Sequence, residues 1–163
     1  DGSFDAVVSA VGVMFAPDQA TAAAEMLRVC RPGGTIAMAN WTPNGFIGRL
    51  FQTIGAHVPP PAGIKPPPLW GTEAHIKKLF GARSSDIHCA RRLFNFRYRS
   101  VSHWIETFRT YYGPTHKAFA ALDAQHQDRL SVDLGALLDR LNMGGPGSLV
   151  VPGEYLEVVI TKH

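Results

Sequence analysis

Charged residues make up only 18% of this chain of 163 residues, and the chain also has no long hydrophobic run. Lys and Arg number 16 against 13 Asp and Glu, so the formal net charge is only +3. So small a positive charge gives no electrostatic footprint for nucleic acid, and we expect no nucleic-acid partner. Charges also interrupt every apolar stretch before it reaches the roughly 18–20 residues of a membrane-spanning helix. We therefore expect no membrane span.

Cysteine is also rare, with only Cys30 and Cys89 in the chain. Two thiols without metal-ligand spacing are typical of a reducing compartment, and no secretory signal pattern is present, so we expect a cytoplasmic location. The 7 histidines show no H-x-x-x-H spacing and no C-x-x-C accompanies them, so we predict no metal site. The G-x-S-x-G signature of serine hydrolases is lacking as well.

The N-terminal quarter of the chain has the pattern of a βαβ unit. Phe4–Val11 is a β-branched run that ends in small residues, which indicates a buried strand. Pro17 and Asp18 begin an amphipathic helix, and Arg31–Gly34 is predicted to end it as a turn. Thr35–Trp41 is then a second buried strand. The connection predicts that the two strands run parallel with a right-handed crossover.

The rest of the chain is predicted to be mainly helical, with two further strands. Helices are expected over 46–58, 72–80 and 102–143, the last with a break at Gly113-Pro114; strands are expected over 86–99 and 154–162; and Gly144–Gly147 is expected to be a connection.

The order of these motifs resembles the second half of a class I S-adenosylmethionine-dependent methyltransferase. In that family the fourth strand carries a sequence of the type F-D-x-V-x-S, which Phe4–Ser9 matches. A sequence of the type R-V-L-R-P-G-G leads into the fifth strand, and Arg28–Gly34 matches it with Cys30 in place of the leucine. Four further segments resemble a bacterial branch that methylates small molecules: 41–45, 70–71, 112–114 and 154–157.

The resemblance implies an α/β fold, namely the C-terminal part of a Rossmann-like, mostly parallel sheet containing the family's strands 4, 5, 6 and 7. We expect a single domain over residues 1–163, with helical segments on the substrate side at 42–82 and 101–147. The family holds its cofactor with a glycine-rich turn and an acidic residue at the ends of its first two strands, and neither is found here. We therefore expect a truncated portion that binds the cofactor weakly or not at all.

The cofactor implied by the resemblance is S-adenosylmethionine. Ligands of an open parallel sheet bind beyond the carboxyl ends of its strands, where Ser9, Ala10 and Val11 are expected. Small residues there allow a cofactor to approach the backbone, and Met14 and Phe15 are candidates to pack beside its methionine or adenine portions. The alternative is that residues 9–15 only turn the chain into the following helix.

The implied substrate is a small, partly apolar acceptor. Trp104, Phe108, Tyr111 and Tyr112 fall on one helical stripe, which either packs onto the sheet or lines an acceptor pocket. The family-like segments add two tryptophans to these candidate acceptor-binding residues, Trp41 and Trp70.

The reaction needs few dedicated catalytic groups. Methyl transfer depends mainly on in-line positioning, and a general base helps only where the acceptor is a hydroxyl. The sequence identifies no such base, and His57 and His103 are weak candidates that ordinary surface or core histidines would equally explain. Oxygen, nitrogen and carbon acceptors all stay open.

A non-catalytic alternative follows from the same resemblance. The family strand that corresponds to Phe4–Ala10 pairs with a strand that this chain lacks, so its edge would be bare. We therefore also expect self-association, as a homodimer or a swapped assembly, through Phe4–Ala10.

Overall fold

The computed structural model describes residues 1–145 and 147–163. Pro146, which falls in the predicted Gly144–Gly147 connection, lies outside the described residues. The helices and strands are, in chain order, β1 (Phe4–Ala10), α1 (Gln19–Val29), β2 (Cys30–Trp41), α2 (Phe46–His57), α3 (Glu73–Phe80), β3 (Ser84–Tyr98), α4 (Val101–Tyr111), α5 (Gly113–Ala120), α6 (Ala124–Leu141) and β4 (Leu149–Lys162). Short 3-10 turns are found at Val13–Phe15, Pro67–Gly71 and Gly81–Arg83.

The four strands form one sheet in the order β1-β2-β4-β3, which confirms the α/β class. β1 and β2 are parallel, with Ala6 opposite Thr35 and Ala10 opposite Ala39, as the βαβ pattern predicts. β4 then runs antiparallel to β2, and its pairing places Tyr155 opposite Trp41. The carboxyl ends of β1 and β2 therefore lie side by side at one edge of the sheet.

The segment Arg31–Gly34 is not the separate turn that the sequence predicts. It belongs to β2, where the register slips between the pair Phe4–Cys30 and the pair Ala6–Thr35. Four residues of β2 lie opposite the single residue Asp5 of β1, so this segment forms a bulge, and Gly33 allows it by adopting a φ of 70°. Helix α1 does end at Val29, just before this segment, so only the start of the strand is predicted wrongly.

Helix α1 forms as its sequence predicts. The Asp18 carboxylate accepts the backbone N–H groups of Ala20 and Thr21, both at 3.0 Å, which satisfies two of the amides that a helix start leaves unpaired. The apolar positions at helical spacing are all buried: Ala23, Met26, Leu27 and, directly after the helix, Cys30.

The chain forms two compact units. The first consists of Asp1–Pro43, Gly63–Leu93 and Glu154–His163 and contains β1, β2, α1 and α3. The second consists of Asn44–Ala62 and Phe94–Gly153 and contains α2, α4, α5 and α6.

The core of the first unit lies on one face of the sheet. Ile36 and Met38 of β2 are buried, and their β4 partners Ile160 and Val158 are buried with them. The residues that alternate with these along each strand point to the other face. Val8 of β1, which pairs with Ala37, lies on that face and is 73% exposed. The strict alternation fixes the register, because a slip of one residue would expose the buried set.

The second unit is built on α2 and on α6, where Leu130, Leu134, Leu137 and Leu138 are buried at helical spacing. The predicted helix over 102–143 is interrupted twice rather than once. The break at Gly113 is present, and a second break precedes α6, where the Asp123 carboxylate accepts the N–H of His126 at 2.9 Å. Asp123 is thus a helix cap that the sequence prediction missed.

Candidate functional site

The carboxyl end of β1 carries a strained residue. Val11 follows the strand and has a φ of 63°, in the left-handed region that a β-branched side chain strongly disfavours. Such a conformation costs on the order of 1–3 kcal/mol and tends to be found at functional sites. Just beyond it, the Ser9 hydroxyl accepts the N–H of Val13 at 2.9 Å, which fixes the sharp turn into the Val13–Phe15 segment.

Asn40 lies at the equivalent place on β2. It is fully buried, and neither the oxygen nor the nitrogen of its amide has a hydrogen-bond partner among the described residues. Because Ala10 pairs with Ala39, the next residue on each strand is Val11 and Asn40 respectively. A strained backbone and an unsatisfied buried amide therefore meet at the same edge of the sheet.

The Pro67–Gly71 turn packs directly against the end of β2. A Cβ placed on Gly71 would lie 2.2 Å from the Trp41 carbonyl oxygen and 2.7 Å from Thr42 Cα, so only glycine allows this approach. The turn carries Trp70, which is fully buried and whose indole N–H also has no partner in the described part of the chain. Its ring packs edge-on against His75 and Phe80.

A buried glutamine anchors the segment that precedes this turn. The Gln19 amide nitrogen donates to the carbonyls of Lys65 and Pro66, at 3.5 and 3.3 Å, and its oxygen accepts Nε2–H of His75 at 2.7 Å. Burial, followed by the positive charges of Lys65 and Lys78, lowers the pKa of His75. The His75 ring is therefore neutral at pH 7 and holds α3 to α1.

The five predicted cofactor-binding residues fall at this edge in different environments. Ala10 is exposed and Phe15 is 41% exposed, so both are accessible to a ligand. Ser9 and Val11 form the turn, whereas Met14 is fully buried and belongs to the core. Of the two tryptophans predicted for this unit, Trp70 is enclosed, and Trp41 packs edge-on against Tyr155 with 6.1 Å between ring centroids.

The predicted aromatic stripe of the second unit exists in part. Trp104 and Phe108 stack with ring centroids 3.9 Å apart, and Tyr112 follows at 4.8 Å from Phe108. Tyr111 does not join them, because its side chain is 83% exposed. Burial raises the pKa of the Tyr112 hydroxyl well above its ordinary value. That hydroxyl, the Trp104 indole N–H and the Thr115 hydroxyl have no partner within the described ranges.

The two histidines that the sequence suggested as bases both have structural partners in the second unit. His57 Nε2 lies 2.7 Å from Asp133 Oδ2, which ties the end of α2 to α6. His103 Nδ1 accepts the backbone N–H of Arg99 at 3.3 Å, beside the start of α4.

Asn40 is a candidate site residue that the sequence analysis did not identify. Its signal is a strongly polar side chain in a strand whose other inward positions are apolar, a local conflict that often marks a functional position. Over residues 1–145 and 147–163, no cluster of three or more His, Cys, Asp and Glu side chains is suited to a metal ion. No helix in those ranges is long and apolar enough to cross a membrane.

Comparison with known proteins agrees with the resemblance. Residues 1–38, which contain β1, Val11 and α1, match the family described as "Methyltransferase domain". The fold is similar to that of a candidate methyltransferase from Bacillus halodurans, with a TM-score of 0.53 and 13% identity over 99% of this chain and 71% of that one. It is also similar to a SAM-dependent methyltransferase from Thermotoga maritima, with a TM-score of 0.50 and 12% identity over 100% and 58% of the two chains. The chain has a class I methyltransferase fold.

Longer relatives of this chain are found in mycobacteria. The uncharacterized protein Rv1405c of Mycobacterium tuberculosis is 43% identical over 143 residues, which are 83% of this chain and 52% of that protein. A second, Rv1403c, is 41% identical over 123 residues, or 74% and 45% of the two chains. The chain thus spans about half the length of the curated relatives it matches.

Proposed function

We propose that this chain is the C-terminal portion of an enzyme that transfers a methyl group from S-adenosylmethionine to a small, partly apolar acceptor. The observation that carries the proposal is the methyltransferase-domain match over residues 1–38, because it includes the strand end at which ligands of such sheets bind. The strained Val11 at that end supports it independently.

The chain's own residues fit part of a cofactor site. S-adenosylmethionine supplies an activated methyl group on a sulfonium, so the protein mainly has to orient the two reactants. Ala10 and Phe15 offer an exposed small residue and an exposed aromatic ring beyond β1, where they would contact the cofactor. The glycine-rich turn and the acidic residue of the family are not within these 163 residues, so we propose that the chain alone binds the cofactor weakly.

The stack of Trp104, Phe108 and Tyr112 supports a partly apolar acceptor. Aromatic rings supply large apolar contact surfaces, and the Tyr112 hydroxyl adds a polar group. Since His57 and His103 already have structural partners, we propose that acceptor positioning rather than a histidine base dominates the reaction.

Calorimetric titration with S-adenosylhomocysteine tests the cofactor proposal. We expect no micromolar binding by the 163-residue chain and micromolar binding by full-length Rv1405c, which serves as the matched longer protein. Micromolar binding by the short chain would contradict the weak-binding proposal. A full-length relative that neither binds this compound nor transfers labelled methyl from S-adenosylmethionine would remove the enzymatic proposal.

A second candidate function is self-association through β1. Among the described strands β1 lies at the edge of the sheet, and Phe4 and Val8 are 55% and 73% exposed. An edge strand with exposed apolar side chains is a template for pairing with another chain. We therefore propose a homodimer or swapped assembly through Phe4–Ala10 as the alternative role.

Light scattering on matched variants tests this alternative. Val8→Lys places a charge on the edge strand and should shift a dimer to monomer, whereas Val132→Lys, at a 69% exposed position of α6, should not. A wild-type chain that stays monomeric at high micromolar concentration would rule out the assembly.

A further inference from the structure

The carboxyl end of the sheet in the first unit holds three polar atoms that need a partner. They are the Asn40 amide oxygen and nitrogen and the Trp70 indole nitrogen, all buried and all without a hydrogen bond among the described residues. Leaving such groups unpaired is costly, and the great majority of buried polar atoms in folded proteins are paired. Asn40 and Trp70 both belong to the first unit, and a partner from outside the chain would satisfy their unpaired atoms.

The Pro67–Gly71 turn packs the backbone next to Trp70 against the end of β2, next to Asn40. Gly71 lies in van der Waals contact with Trp41 and Thr42, the two residues that follow Asn40, and Trp70 is the residue before Gly71. Val11, with its left-handed backbone, follows β1 beside Asn40. The backbone strain is a second observation, independent of the unpaired atoms, that marks this position as functional.

The environment selects a ligand without charge. The buried polar side chains of the first unit are uncharged: Gln19, Asn40 and Thr42. The ring of His75 packs against Trp70. Burial lowers the pKa of His75, so this ring is neutral at pH 7. Moving a charged group into such surroundings would be far more costly than moving a neutral one.

We propose that Asn40 and Trp70 bind a neutral, planar group that presents a hydrogen-bond donor beside one or two acceptors. The Asn40 oxygen would accept from its N–H or O–H, while the Asn40 nitrogen and the Trp70 indole donate to its acceptor atoms. A carboxamide of the methyl acceptor has this pattern, and so does the N6/N7 edge of adenine in the cofactor. The proposal rests on the proposed function in taking its ligand from one of these two reactants.

Binding must open the site, because both side chains are enclosed. The Pro67–Gly71 turn packs against the end of β2, and we infer that it moves when a ligand reaches Asn40. Trp70 lies in that turn and therefore reports on the movement through its fluorescence.

The experiment uses small probes on the 163-residue chain without cofactor. Saturation-transfer NMR would measure binding of two neutral probes, salicylamide as the carboxamide and adenosine as the source of adenine. The control for salicylamide is the anion salicylate, and the control for adenosine is N6,N6-dimethyladenosine, whose N6 cannot donate a hydrogen bond. The variants are Asn40→Leu and Trp70→Phe, and the matched control is Trp104→Phe, which removes an equally buried and unpaired indole N–H from the second unit.

We expect one of the two neutral probes to bind and its control to bind at least roughly tenfold more weakly, the effect of losing about one good hydrogen bond. Asn40→Leu and Trp70→Phe should each weaken the bound probe by about the same factor, and Trp104→Phe should leave it unchanged. The fluorescence change on binding should be lost in Trp70→Phe alone.

Salicylamide binding would assign the group to the acceptor, and adenosine binding would assign it to the cofactor. Failure of both probes to bind, equal binding of the controls, or binding that Asn40→Leu and Trp70→Phe leave unchanged would overturn the proposal. These outcomes are separate from methyl transfer, because the probes need no turnover. A chain that binds a probe while its longer relative transfers no methyl group would refute the proposed function alone.

Discussion

The backbone N–H of Val11 donates to the carbonyl of Ala39 at 2.8 Å, and this bond holds a β-branched residue at a φ of 63°. The parallel pairing of β1 and β2 thus continues one residue past the end of β1, into a conformation that valine disfavours. This strain lowers the stability of the chain at the carboxyl ends of its parallel strands, which is where open α/β sheets bind ligands.

Relief of this strain should stabilise the folded chain. We expect Val11→Gly to raise the free energy of unfolding by about 1 kcal/mol, since the strain removed exceeds the backbone entropy that glycine costs. Val8→Gly, in the preceding strand β1 at ordinary strand geometry, should lower it by about 0.5–1 kcal/mol. Urea denaturation of both variants checks the pair. Equal destabilisation by the two would show that Val11 is not strained.

Removal of the unpaired Asn40 amide should also stabilise the ligand-free chain. Asn40→Leu replaces a buried polar group with an apolar one of similar size and should raise the free energy of unfolding by about 1–3 kcal/mol. Thr42→Val is the matched control, because the Thr42 hydroxyl is buried but donates to the Glu154 carbonyl at 3.3 Å. That variant should lose about 0.5–1.5 kcal/mol. Thermal unfolding measures both, and destabilisation by Asn40→Leu would mean that the amide is paired in the folded chain.

The aromatic stack should be essential to the second unit. Trp104→Ala removes a fully buried ring stacked on Phe108 and should cost about 3–5 kcal/mol of stability. Tyr111→Ala, on the same helix but 83% exposed, should change stability by no more than about 0.5 kcal/mol. Near-ultraviolet circular dichroism and denaturant unfolding distinguish the two. Similar losses from both substitutions would contradict the placement of Tyr111 at the surface.

His75 should make the chain sensitive to mild acid. Its pKa is lowered in the folded chain, so below its ordinary value of about 6.5 the unfolded chain takes up the proton more readily than the folded one. The contribution of neutral His75 is therefore complete above about pH 6.5 and is lost as pH falls through the lowered folded value. We expect the midpoint of thermal unfolding to fall between pH 7 and 5.5, and His75→Gln to reduce that fall.

A control histidine tests whether this dependence belongs to His75. His88→Gln, at an exposed position of β3, should keep the full fall of the wild-type chain. An unchanged pH dependence in His75→Gln would show that the Gln19–His75 hydrogen bond does not control the response.

Local sequence signals predicted the order and pairing of elements in the first 41 residues, but β1 has no buried residue where a buried strand was expected, and Arg31–Gly34 belongs to β2. Asp18 caps a helix whose apolar positions recur at helical spacing, and β1 is a short strand that contains the β-branched Val7 and Val8. Each signal acts over a few residues, so the parallel pairing of β1 and β2 could be predicted correctly. The same reasoning predicted Ser9–Phe15 as the segment at the strand ends.

Features that depend on tertiary contacts could not be predicted in this way. Arg31–Gly34 has turn chemistry, yet pairing with β1 absorbs it into β2 as a bulge. Met14 and Tyr111 look equally accessible in the sequence, but packing buries the first and exposes the second. Asn40 is identifiable only once its neighbours are known, because an unpaired atom is defined by what surrounds it.

The close packing of Gly71 against Trp41 limits which amino acids position 71 can accept. Any side chain at that position would act as a wedge between the Pro67–Gly71 turn and the Trp41 carbonyl, because there are only 2.2 Å for its first carbon. A comprehensive substitution library should therefore retain glycine alone at position 71, even where its neighbours tolerate many residues. Gly71→Ala would in turn add a single methyl group that pushes the Pro67–Gly71 turn away from the end of β2, next to Asn40.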